Sequence, residues 1–289
     1  MVMGSEKIPI SIIILTYNEE ANIEACLRSI AEWAGEIFVV DSGSTDKTLE
    51  LVRKYTDRVY FHPFNTHSRQ WDWALKYLPV RNEWVLGIDA DQRITNELAR
   101  EIVILFSDMR KMECVDGFYL KRKQYFMGKW IRHGGYYPRY LLKLFRISKV
   151  RADVRELMDH HFYVNGKTSK LKNDFIEENK KEVLAFWAAK HIQYASLQAQ
   201  EELHGLGRGI IGSSLFGNSD QRRLLLKKIW VRLPLFIRPF IYFIYRYFFR
   251  VGFLDGKEGL IFHFLQGCWY RFLVDAKIYE MKKARELES

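Results

Sequence analysis

Short apolar runs alternate with helix-patterned segments through the first hundred residues, and this alternation is the strongest constraint on the fold. The runs with strand character lie at 10–16, 36–41, 59–62 and 84–88. Between the first two runs, Ile23, Leu27 and Ile30 recur at helical spacing. Apolar strands that alternate with helices predict an α/β fold, in which a mostly parallel sheet is covered on both faces.

Polar residues end or directly follow three of these runs, and they share a position at the end of a predicted strand. They are Tyr17, Asn18 and Glu19 after the first run, Asp41 after the second, and Asp89 and Asp91 after the fourth. In such sheets ligands bind beyond the carboxyl ends of the strands. We therefore expect these side chains to meet at one ligand-binding edge. The alternative for Asp41 is that it caps the next helix, as the following Ser-Gly-Ser-Thr segment also could.

Asp89 and Asp91 stand two residues apart at a strand end, so their side chains should point to the same face. Two carboxylates placed in this way suit Mg²⁺ or Mn²⁺, which can also bind substrate phosphates. The alternative is that one aspartate caps the following helix while the other is solvated. No GxGxxG and no GxxxxGK[ST] motif occurs at these turns, so neither a dinucleotide-binding Rossmann site nor a P-loop is indicated.

The cysteines and the amino terminus bear on the compartment. Cys26, Cys114 and Cys268 form no CxxC pair, and their number is odd. This usage argues against a zinc site or a disulfide framework and is typical of a reducing compartment. The first residues, MVMGSEKIPI, lack the basic and apolar regions of an export signal, so none is expected.

A strongly basic and aromatic segment lies near the carboxyl end of the chain. The formal net charge of the chain is +10, and residues 221–254 contain eight Lys and Arg residues but no Asp or Glu. The charge-free runs within this segment are much shorter than the roughly 20 residues of a spanning helix. We expect a helix that lies on an anionic membrane surface. The residues expected to contact the membrane are Arg238, Arg246, Arg250, Phe240 and Tyr247.

Two other interpretations of this segment are an ordinary core and an oligomer interface, and a homo-oligomer stays open as an alternative. Nucleic acid is not an expected partner, because the basic residues alternate with bulky aliphatic ones. A cluster of glycines between 205 and 217 predicts a joint in the chain. It divides the sequence into a catalytic domain at 1–212 and a helical, membrane-associated region at 213–289.

Four segments occur in an order and spacing that resemble a known family. They are SIIILTYNEEANIEACLRSI, EIFVVDSGSTDKTLEL, SRQWDWAL and EWVLGIDADQRI. The resemblance, which covers about residues 8–200, is to family 2 glycosyltransferases with a GT-A fold, of the type found in bacterial lipopolysaccharide-core and exopolysaccharide assembly. It implies a Rossmann-like, nucleotide-sugar-binding sheet with an amphipathic helical appendage. It also implies that a sugar is transferred, with inversion, from a nucleotide-diphosphate donor of the UDP, GDP or dTDP type.

The resemblance also assigns residues to the donor site. It implies that the nucleotide sugar is bound by Thr16, Tyr17, Asn18, Glu19, Asp41, Arg69, Asp89 and Ala90. In this assignment Asp41 binds the base, Asp91 is the more direct ligand of Mn²⁺ or Mg²⁺, and Asp89 lies nearer the ribose as a second metal ligand. Family members often carry a carboxylate where this chain has Gln92, so any task of that carboxylate is in doubt.

The acceptor side is less well defined by the resemblance. Glu156 is the expected general base, in a segment where Arg155 replaces the family's histidine, and Asp153 and Asp159 are alternatives. The residues expected near the acceptor are His133, Tyr136 and Tyr137. A third metal ligand stays open among Asn173, Asp174, His160 and His161.

The expected function is therefore an inverting, metal-dependent glycosyltransferase bound peripherally to the cytoplasmic face of the inner membrane. Its acceptor would be a lipid-linked glycan, or a lipopolysaccharide or exopolysaccharide precursor. One alternative is a polyprenyl-phosphate glycosyltransferase, whose phosphate acceptor needs no general base. An alternative of another class is a non-catalytic membrane-docking scaffold that keeps the fold.

Overall fold

A computed structural model of the chain describes residues 7–108, 112–155, 160–181, 184–203 and 219–288. The chain forms two compact units. The first comprises Met1–Trp130, Tyr136–Val154 and His160–Lys181, and the second comprises Ile131–Gly135, Arg155–Asp159 and Glu182–Ser289. The predicted domain boundary between 212 and 213 lies outside the described residues.

The first unit is built on eleven described strands. They are β1 (Ile8–Thr16), β2 (Ala34–Asp41), β3 (Val59–Phe61), β4 (Trp84–Asp89), β5 (Gln92–Ile94), β6 (Gly117–Phe126), β7 (Lys129–Trp130), β8 (Arg139–Arg146), β9 (Val150–Ala152), β10 (Phe162–Val164) and β11 (Thr168–Glu177). Its described helices are α1 (Ile23–Arg28), α2 (Thr48–Val52), α3 (His67–Tyr77) and α4 (Asn96–Ser107). The predicted alternation of strand and helix is confirmed over the first hundred residues.

The large sheet has the strand order β3-β2-β1-β4-β8-β6-β11-β5, with β7 paired to β6. Its first four strands are parallel, as the alternation predicted. Beyond β4 the sheet continues through β8, which is antiparallel to both β4 and β6, and then through β11, which is parallel to β6 and antiparallel to β5. Strands β9 and β10 form a separate two-stranded sheet. Strands β6 and β8, within residues 117–146, thus extend the parallel half of the sheet.

Apolar side chains cover both faces of the central strands. Strand β1 sends Ile10, Ile12 and Ile14 into one cluster, with helices α1 and α4, and Ile13 and Leu15 into another, with Trp71 of α3. Because neighbouring residues point to opposite faces, a strand buried on both sides must be apolar throughout. Thr66 caps α3 by accepting a hydrogen bond from the Arg69 N–H, and Thr95 caps α4 by accepting one from the Leu98 N–H.

The second unit is helical in the described residues. Its elements are α5 (Leu184–Leu203), α6 (Ser219–Val231), α7 (Arg238–Ile244), a π-helical turn (Tyr245–Phe249), a 3₁₀ turn (Gly252–Asp255), α8 (Gly256–Phe264), a second π-helical turn (Leu265–Trp269) and α9 (Tyr270–Glu288). Helices α5 and α9 pack together through Ala195, Ala199 and Val274. No helix in the described ranges is both long enough and apolar enough to cross a bilayer.

A row of exposed apolar side chains runs along α7 and the turn after it. Each member lies three or four residues from another member, which is the spacing of one side of a helix. The members are Ile237, Phe240, Ile241, Ile244, Tyr245 and Phe248. Phe249, Phe253 and Leu254 are exposed at the end of the same segment. We call this set the apolar face. Contiguous exposed apolar surface of this kind is typical of a site that meets a membrane or another protein.

The prediction that Arg238 contacts the membrane is wrong, because Arg238 is 1% exposed. Its guanidinium pairs with Asp275 and Glu202, which are also buried. A buried arginine needs such partners, since an unpaired charge in the interior is costly. Of the other residues expected at the membrane, Phe240 and Arg250 are exposed, whereas Arg246 and Tyr247 are half-buried against Tyr242 and Phe243.

Candidate donor site

The ends of three neighbouring strands place the predicted site residues in one row. Strand β1 lies between β2 and β4, and its last residues pair with theirs in register. Thr16 lies opposite Asp41, and Leu15 lies opposite Asp89. Asp41 and Asp89 therefore flank the end of β1 at the same edge of the sheet. The predicted convergence of these strand ends is confirmed.

Asp41 organises the turn that follows β2. Its Oδ2 accepts hydrogen bonds from the backbone N–H groups of Gly43 and Ser44, each at 2.8 Å, and its Oδ1 accepts one from the Ser44 hydroxyl at 2.5 Å. Gly43 adopts a φ of +95°, which favours glycine. Asp41 is 3% exposed, so a ligand would meet a carboxylate that its own turn already holds in place.

Asn18 and Glu19 tie the end of β1 to this turn. Asn18 adopts a φ of 52°, a region that asparagine tolerates better than most residues, and its N–H donates to the Ser44 hydroxyl at 2.8 Å. Its side-chain Oδ1 accepts from the Thr45 N–H at 2.8 Å. The Glu19 N–H donates to the Thr48 hydroxyl at 2.7 Å, and its carboxylate accepts from Lys181 Nζ at 2.5 Å. The two loops thus form one cross-linked rim.

Asp89 is held by two basic side chains. Lys143 Nζ, from β8, lies 3.3 Å from its Oδ2, and His67 Nε2, at the start of α3, lies 3.1 Å from its Oδ1. Burial alone would raise the pKa of Asp89, but the nearby Lys143 and His67 outweigh it and hold that pKa well below its usual range. Asp89 is therefore ionised, and its Oδ1 is buried with His67 at ion-pair distance but with no hydrogen-bond partner among the described residues.

Gln92 bridges two carboxylates, and this role explains why an amide stands there. Its Nε2 donates to Asp89 Oδ2 at 2.9 Å and to Glu177 Oε2 at 2.8 Å, while its Oε1 accepts from the Asp89 N–H at 3.2 Å. Arg122 donates to the other oxygen of Glu177 at 2.9 Å. A glutamate at this position would offer no N–H and would add a third negative charge.

His160 forms part of the wall beside Asp89. Its ring stacks on Trp71 with centroids 5.6 Å apart and meets the edge of His67 at 4.2 Å. Burial, together with the charge of His67, lowers the pKa of His160 well below its usual value, so its imidazole is neutral. Trp71 Nε1 is buried without a hydrogen-bond partner among the described residues.

Asp91 lies in the turn between β4 and β5, two residues beyond the end of β4, and is half-buried. Its backbone carbonyl accepts from the Glu178 N–H at 3.1 Å, which connects it to the end of β11. Within the part of the chain that the structure describes, no three His, Cys, Asp or Glu side chains form a cluster that could hold a metal ion. A cation at Asp91 would therefore need ligands from a phosphate or from water, as Mg²⁺ commonly has.

The other residues predicted to bind the donor differ in how far their side chains are exposed to solvent. Tyr17 is 55% exposed, Arg69 is exposed in the first turn of α3, and Ala90 is buried. Thr16 is also buried, and its hydroxyl has no hydrogen-bond partner within the described residues. An unpaired buried hydroxyl at a strand end is unusual, and a bound ligand would provide a partner for it.

The residues predicted on the acceptor side are divided between the two units. In the first unit, Tyr136 is half-buried, and the Tyr137 hydroxyl donates to Asp174 Oδ1 at 3.0 Å. In the second unit, His133 Nδ1 lies 2.6 Å from Asp255 Oδ1. Glu156 and Asp159 lie outside the described residues, while Asp153 is 4% exposed.

The candidates for a third metal ligand have other partners. Asp174 pairs with Lys123 at 3.2 Å and with Lys121 at 3.7 Å. Asn173 donates to Glu101 Oε2 at 2.8 Å. His160 stacks on Trp71, as described above. Each of these contacts accounts for the residue without a metal ion.

Lys143 and His67 did not stand out in the sequence analysis. The signal for Lys143 was present, since it interrupts the apolar run Leu141-Leu142-Lys-Leu144-Phe145 in a strand that is otherwise buried. A lysine at such a position needs an acidic partner. For His67 there was no comparable signal, because the first turn of a helix is an ordinary place for a polar residue.

Residues 11–166, more than half of the chain, match the family model described as Glycosyl transferase family 2. The chain belongs to glycosyl transferase family 2. This result confirms the predicted family and, together with the observed sheet, the predicted α/β fold of GT-A type with helices at its carboxyl end. The chain is a glycosyltransferase by this membership.

This transferase is similar in sequence to other glycosyltransferases, and we give two relatives and one solved structure with their identity and coverage. It is 27% identical over 279 residues to the lipopolysaccharide core biosynthesis glycosyltransferase LpsC of Rhizobium meliloti (strain 1021), covering 95% of this chain and 93% of that protein. It is 36% identical over 102 residues to an uncharacterized glycosyltransferase of Rickettsia bellii (strain RML369-C), covering 35% of this chain and 34% of that one. The S. aureus TarS 1-349 structure in complex with UDP is 17% identical, with a TM-score of 0.44 and coverage of 97% and 92%. This TM-score is too low to establish a shared fold.

Proposed function

We propose that this transferase moves a sugar, with inversion, from a nucleotide-diphosphate donor to a lipid-linked glycan acceptor. The acceptor would be a precursor of lipopolysaccharide or exopolysaccharide, at the cytoplasmic face of the inner membrane. The similarity to LpsC along 95% of the chain supports the assignment to cell-envelope chemistry. The observation that most strongly supports this proposal is the row of polar side chains at the ends of β2, β1 and β4.

This row fits the parts of a nucleotide-sugar donor. The rim formed by Asn18 and the Asp41 turn presents carboxylate and amide groups to a base and a ribose. Tyr17, which is largely exposed, offers a ring face beside them. Arg69 is exposed in the first turn of α3 and has the charge to bind a diphosphate. Thr16 supplies a buried hydroxyl that lacks a described partner.

Asp91 is the residue that would hold Mn²⁺ or Mg²⁺ in this proposal. It is half-buried in the turn after β4, and a carboxylate oxygen is the type of ligand that these hard cations prefer. When bound, the metal ion would neutralise the charge that develops on the leaving diphosphate. Asp89 is proposed as the second ligand, nearer the ribose, because its Oδ2 is held by Lys143 and Gln92 while its Oδ1 has no hydrogen-bond partner among the described residues.

An inverting transfer to a hydroxyl also needs a carboxylate that removes the proton of that hydroxyl. Glu156 is proposed for this role. Replacing Glu156 by Gln should lower kcat by about 100-fold or more while donor affinity stays unchanged. Near-normal turnover of that variant would contradict the assigned base and favour a phosphate acceptor, as in a polyprenyl-phosphate glycosyltransferase.

The apolar face is proposed to bind the transferase to the membrane. Its exposed apolar side chains lie along one side of α7, with Arg250 exposed at its end. A helix with this pattern is suited to lie in the plane of the lipid headgroups, where its apolar side chains are buried and its cations meet anionic lipids. An acceptor carried by a lipid would then be held on the same surface as the enzyme.

Vesicle sedimentation tests the membrane role. Phe248→Ser combined with Phe249→Ser should weaken binding to vesicles of phosphatidylglycerol and phosphatidylethanolamine at least about tenfold, since two large apolar side chains lose their burial. Tyr77→Ser combined with Ile104→Ser is the matched control, because both residues are similarly exposed but lie in the first unit. Equal loss in both double variants, or no loss in either, would contradict docking through the apolar face.

Thermal-shift measurements with UDP, GDP and dTDP, each with and without Mn²⁺, test the donor site. One nucleotide should raise the Tm, and Mn²⁺ should increase that shift. Asp91→Asn should remove the Mn²⁺-dependent part of the shift. If no nucleoside diphosphate stabilises the protein with Mn²⁺ present, the proposed donor site is wrong and a non-catalytic scaffold becomes the better interpretation.

A further inference from the structure

A short loop of the second unit, residues 131–135, is fixed against the end of the apolar face. The backbone N–H groups of Arg132 and His133 donate to the two carboxylate oxygens of Asp255, at 3.2 Å and 2.9 Å. The next N–H, from Gly134, donates to the Arg250 carbonyl at 2.9 Å. Three successive N–H groups therefore hold this loop to residues 250–255.

His133 has one ring nitrogen bound and the other available. Its Nδ1 lies 2.6 Å from Asp255 Oδ1, and because a carboxylate only accepts hydrogen bonds, Nδ1 is the donor. Nε2 has no hydrogen-bond partner among the described residues, and the side chain is 30% exposed. When the imidazole is protonated, Nε2–H can donate to an anionic ligand while the buried Asp255 carboxylate offsets the added charge.

Arg250 brings a second basic group to the same loop. Its side chain is exposed, and its guanidinium makes no hydrogen bond or ion pair with a described residue. Its Nη2 lies 3.6 Å from the place where a Cβ on Gly135 would stand, so the guanidinium rests on this glycine. His133 and Gly135 are two residues apart, so their Cα atoms are at most about 7 Å apart. The two basic side chains thus lie close together.

The backbone around Arg250 is strained. Val251 adopts a φ of 51°, which is rare for a β-branched residue and costs about 1–3 kcal/mol. Gly134 and Gly135 also have positive φ values, of 64° and 76°. Such conformations persist where the surrounding structure imposes them, and they are concentrated at ligand sites. The outlier therefore directs attention to the turn that presents Arg250.

The surroundings of Arg250 indicate the kind of ligand. Exposed apolar side chains precede and follow it in sequence, and they are Phe248, Phe249, Val251, Phe253 and Leu254. If these side chains enter the boundary between headgroups and acyl chains, Arg250 reaches the depth of the lipid phosphates. A cation at that depth is costly without an anion, and the planar guanidinium matches two oxygens of a phosphate group.

We propose that Arg250 and His133 bind the terminal phosphate of a membrane lipid. Arg250 would donate to two phosphate oxygens and His133 Nε2–H to a third. A phosphodiester has only two unesterified oxygens, whereas a terminal phosphate has three and so fits this set of donors. The inference rests on the proposed membrane role of the apolar face, and it narrows the acceptor to a lipid that carries a terminal phosphate.

Sedimentation with two kinds of vesicle tests this site. Phosphatidylcholine vesicles contain either phosphatidic acid, whose phosphate is terminal, or phosphatidylglycerol, whose phosphate is a diester, in amounts that give equal zeta potentials. The wild type should bind the phosphatidic acid vesicles at least about tenfold more tightly, because a charged hydrogen bond is gained. Arg250→Met should reduce this ratio of affinities to about one, and His133→Gln should lower it at least about threefold, since a neutral amide donates more weakly.

Arg232→Met is the matched control for the loss of a positive charge. Arg232 is also an exposed arginine of the basic segment 221–254. Its replacement should weaken binding to both kinds of vesicle alike, because a general attraction to anionic lipid does not distinguish them at equal surface potential. The ratio of affinities should therefore stay at its wild-type value.

The proposal fails if the wild type shows a ratio near one, if Arg250→Met keeps the wild-type ratio, or if Arg232→Met lowers the ratio as much as Arg250→Met does. Calorimetric titration with inorganic phosphate separates the two sources of the ligand. It should show no binding below millimolar concentrations, because free phosphate gains nothing from the apolar face. Tight binding of inorganic phosphate would identify free phosphate as the ligand and overturn the lipid assignment.

The result is distinct from a failure of the proposed function. A ratio near one, together with vesicle binding that the Phe248→Ser, Phe249→Ser double variant weakens, would remove the phosphate site but leave membrane docking in place. Loss of the phosphatidic acid preference also says nothing about the donor, because no nucleotide sugar is present in these measurements.

Discussion

Replacing Arg238 by Met is expected to destabilise the helical unit strongly. The Arg238 guanidinium donates to Asp275 Oδ1 at 2.7 Å and to Glu202 Oε2 at 2.9 Å. All three side chains are at most 2% exposed. Methionine fills a similar volume but leaves two buried carboxylates without their cation.

The size of the effect follows from this burial. Removing one partner of a buried, hydrogen-bonded ion pair costs about 3–5 kcal/mol. After the substitution Asp275 keeps one hydrogen bond, from the Phe236 N–H, and Glu202 keeps one from Gln198. These bonds offset only part of the loss, because an amide carries no net charge. We therefore expect a loss within that range.

Hydrogen exchange measured by mass spectrometry reports the effect for each unit separately. Peptides from α5 and α9 should exchange about two to four orders of magnitude faster in Arg238→Met, whereas peptides from β1 and β4 should not change. Arg250→Met is the matched control, since Arg250 is exposed, and it should change exchange in α5 and α9 by less than about threefold. An increase below about tenfold in Arg238→Met would refute the reasoning that this network is desolvated and essential to the unit.

Two further predictions concern the stability of the helical unit. Burial lowers the pKa of His191 to about 4, so between pH 6.5 and pH 4 the unfolded chain binds more protons than the folded one. The free energy of unfolding should therefore fall by up to about 3 kcal/mol as the pH decreases from 6.5 to 4, as measured by thermal unfolding. A pH dependence in His191→Gln as steep as that of the wild type would contradict this cause. Gly134→Ala should cost more than about 2 kcal/mol, because a Cβ there would lie 2.0 Å from His263 Cε1 at a φ of +64°. Gly128→Ala, with a φ of +74° and no atom within 4 Å, should cost only about 1 kcal/mol in chemical denaturation, and equal costs would show that backbone strain alone is responsible.

The parallel half of the sheet could be predicted from the sequence because its signals are local. A strand buried on both faces has to be apolar over its whole length, and the helices between such strands carry the 3.6-residue period. The row formed by Thr16, Asp41 and Asp89 then follows, since parallel strands end at the same edge. The antiparallel extension through β8 depends on long-range pairing, for which the sequence carries no comparable signal.

The side chains that contact the predicted site residues could not be predicted from the sequence. Lys143 reaches Asp89 across 54 residues, and Gln92 reaches Glu177 across 85. The basic charges near the carboxyl end show the same limit. Arg238 and Arg250 look alike in sequence, yet one is buried against two carboxylates and the other is exposed. Burial of a charge is decided by a partner elsewhere in the chain, as Asp275 is for Arg238.

Transfer of a labelled sugar is the most direct test of the central claim that this chain uses a nucleotide-sugar donor bound at the ends of β2, β1 and β4. The purified protein is incubated with Mn²⁺, radiolabelled nucleotide sugars and lipid extracted from bacterial inner membranes, and label in the lipid fraction is counted. We predict transfer from one donor, a loss of at least about 100-fold in Asp91→Asn, and little loss in the exposed control Ile104→Ser. Label transfer by Asp91→Asn at the wild-type rate would contradict the proposed site, and absence of transfer from every donor would contradict the proposed function.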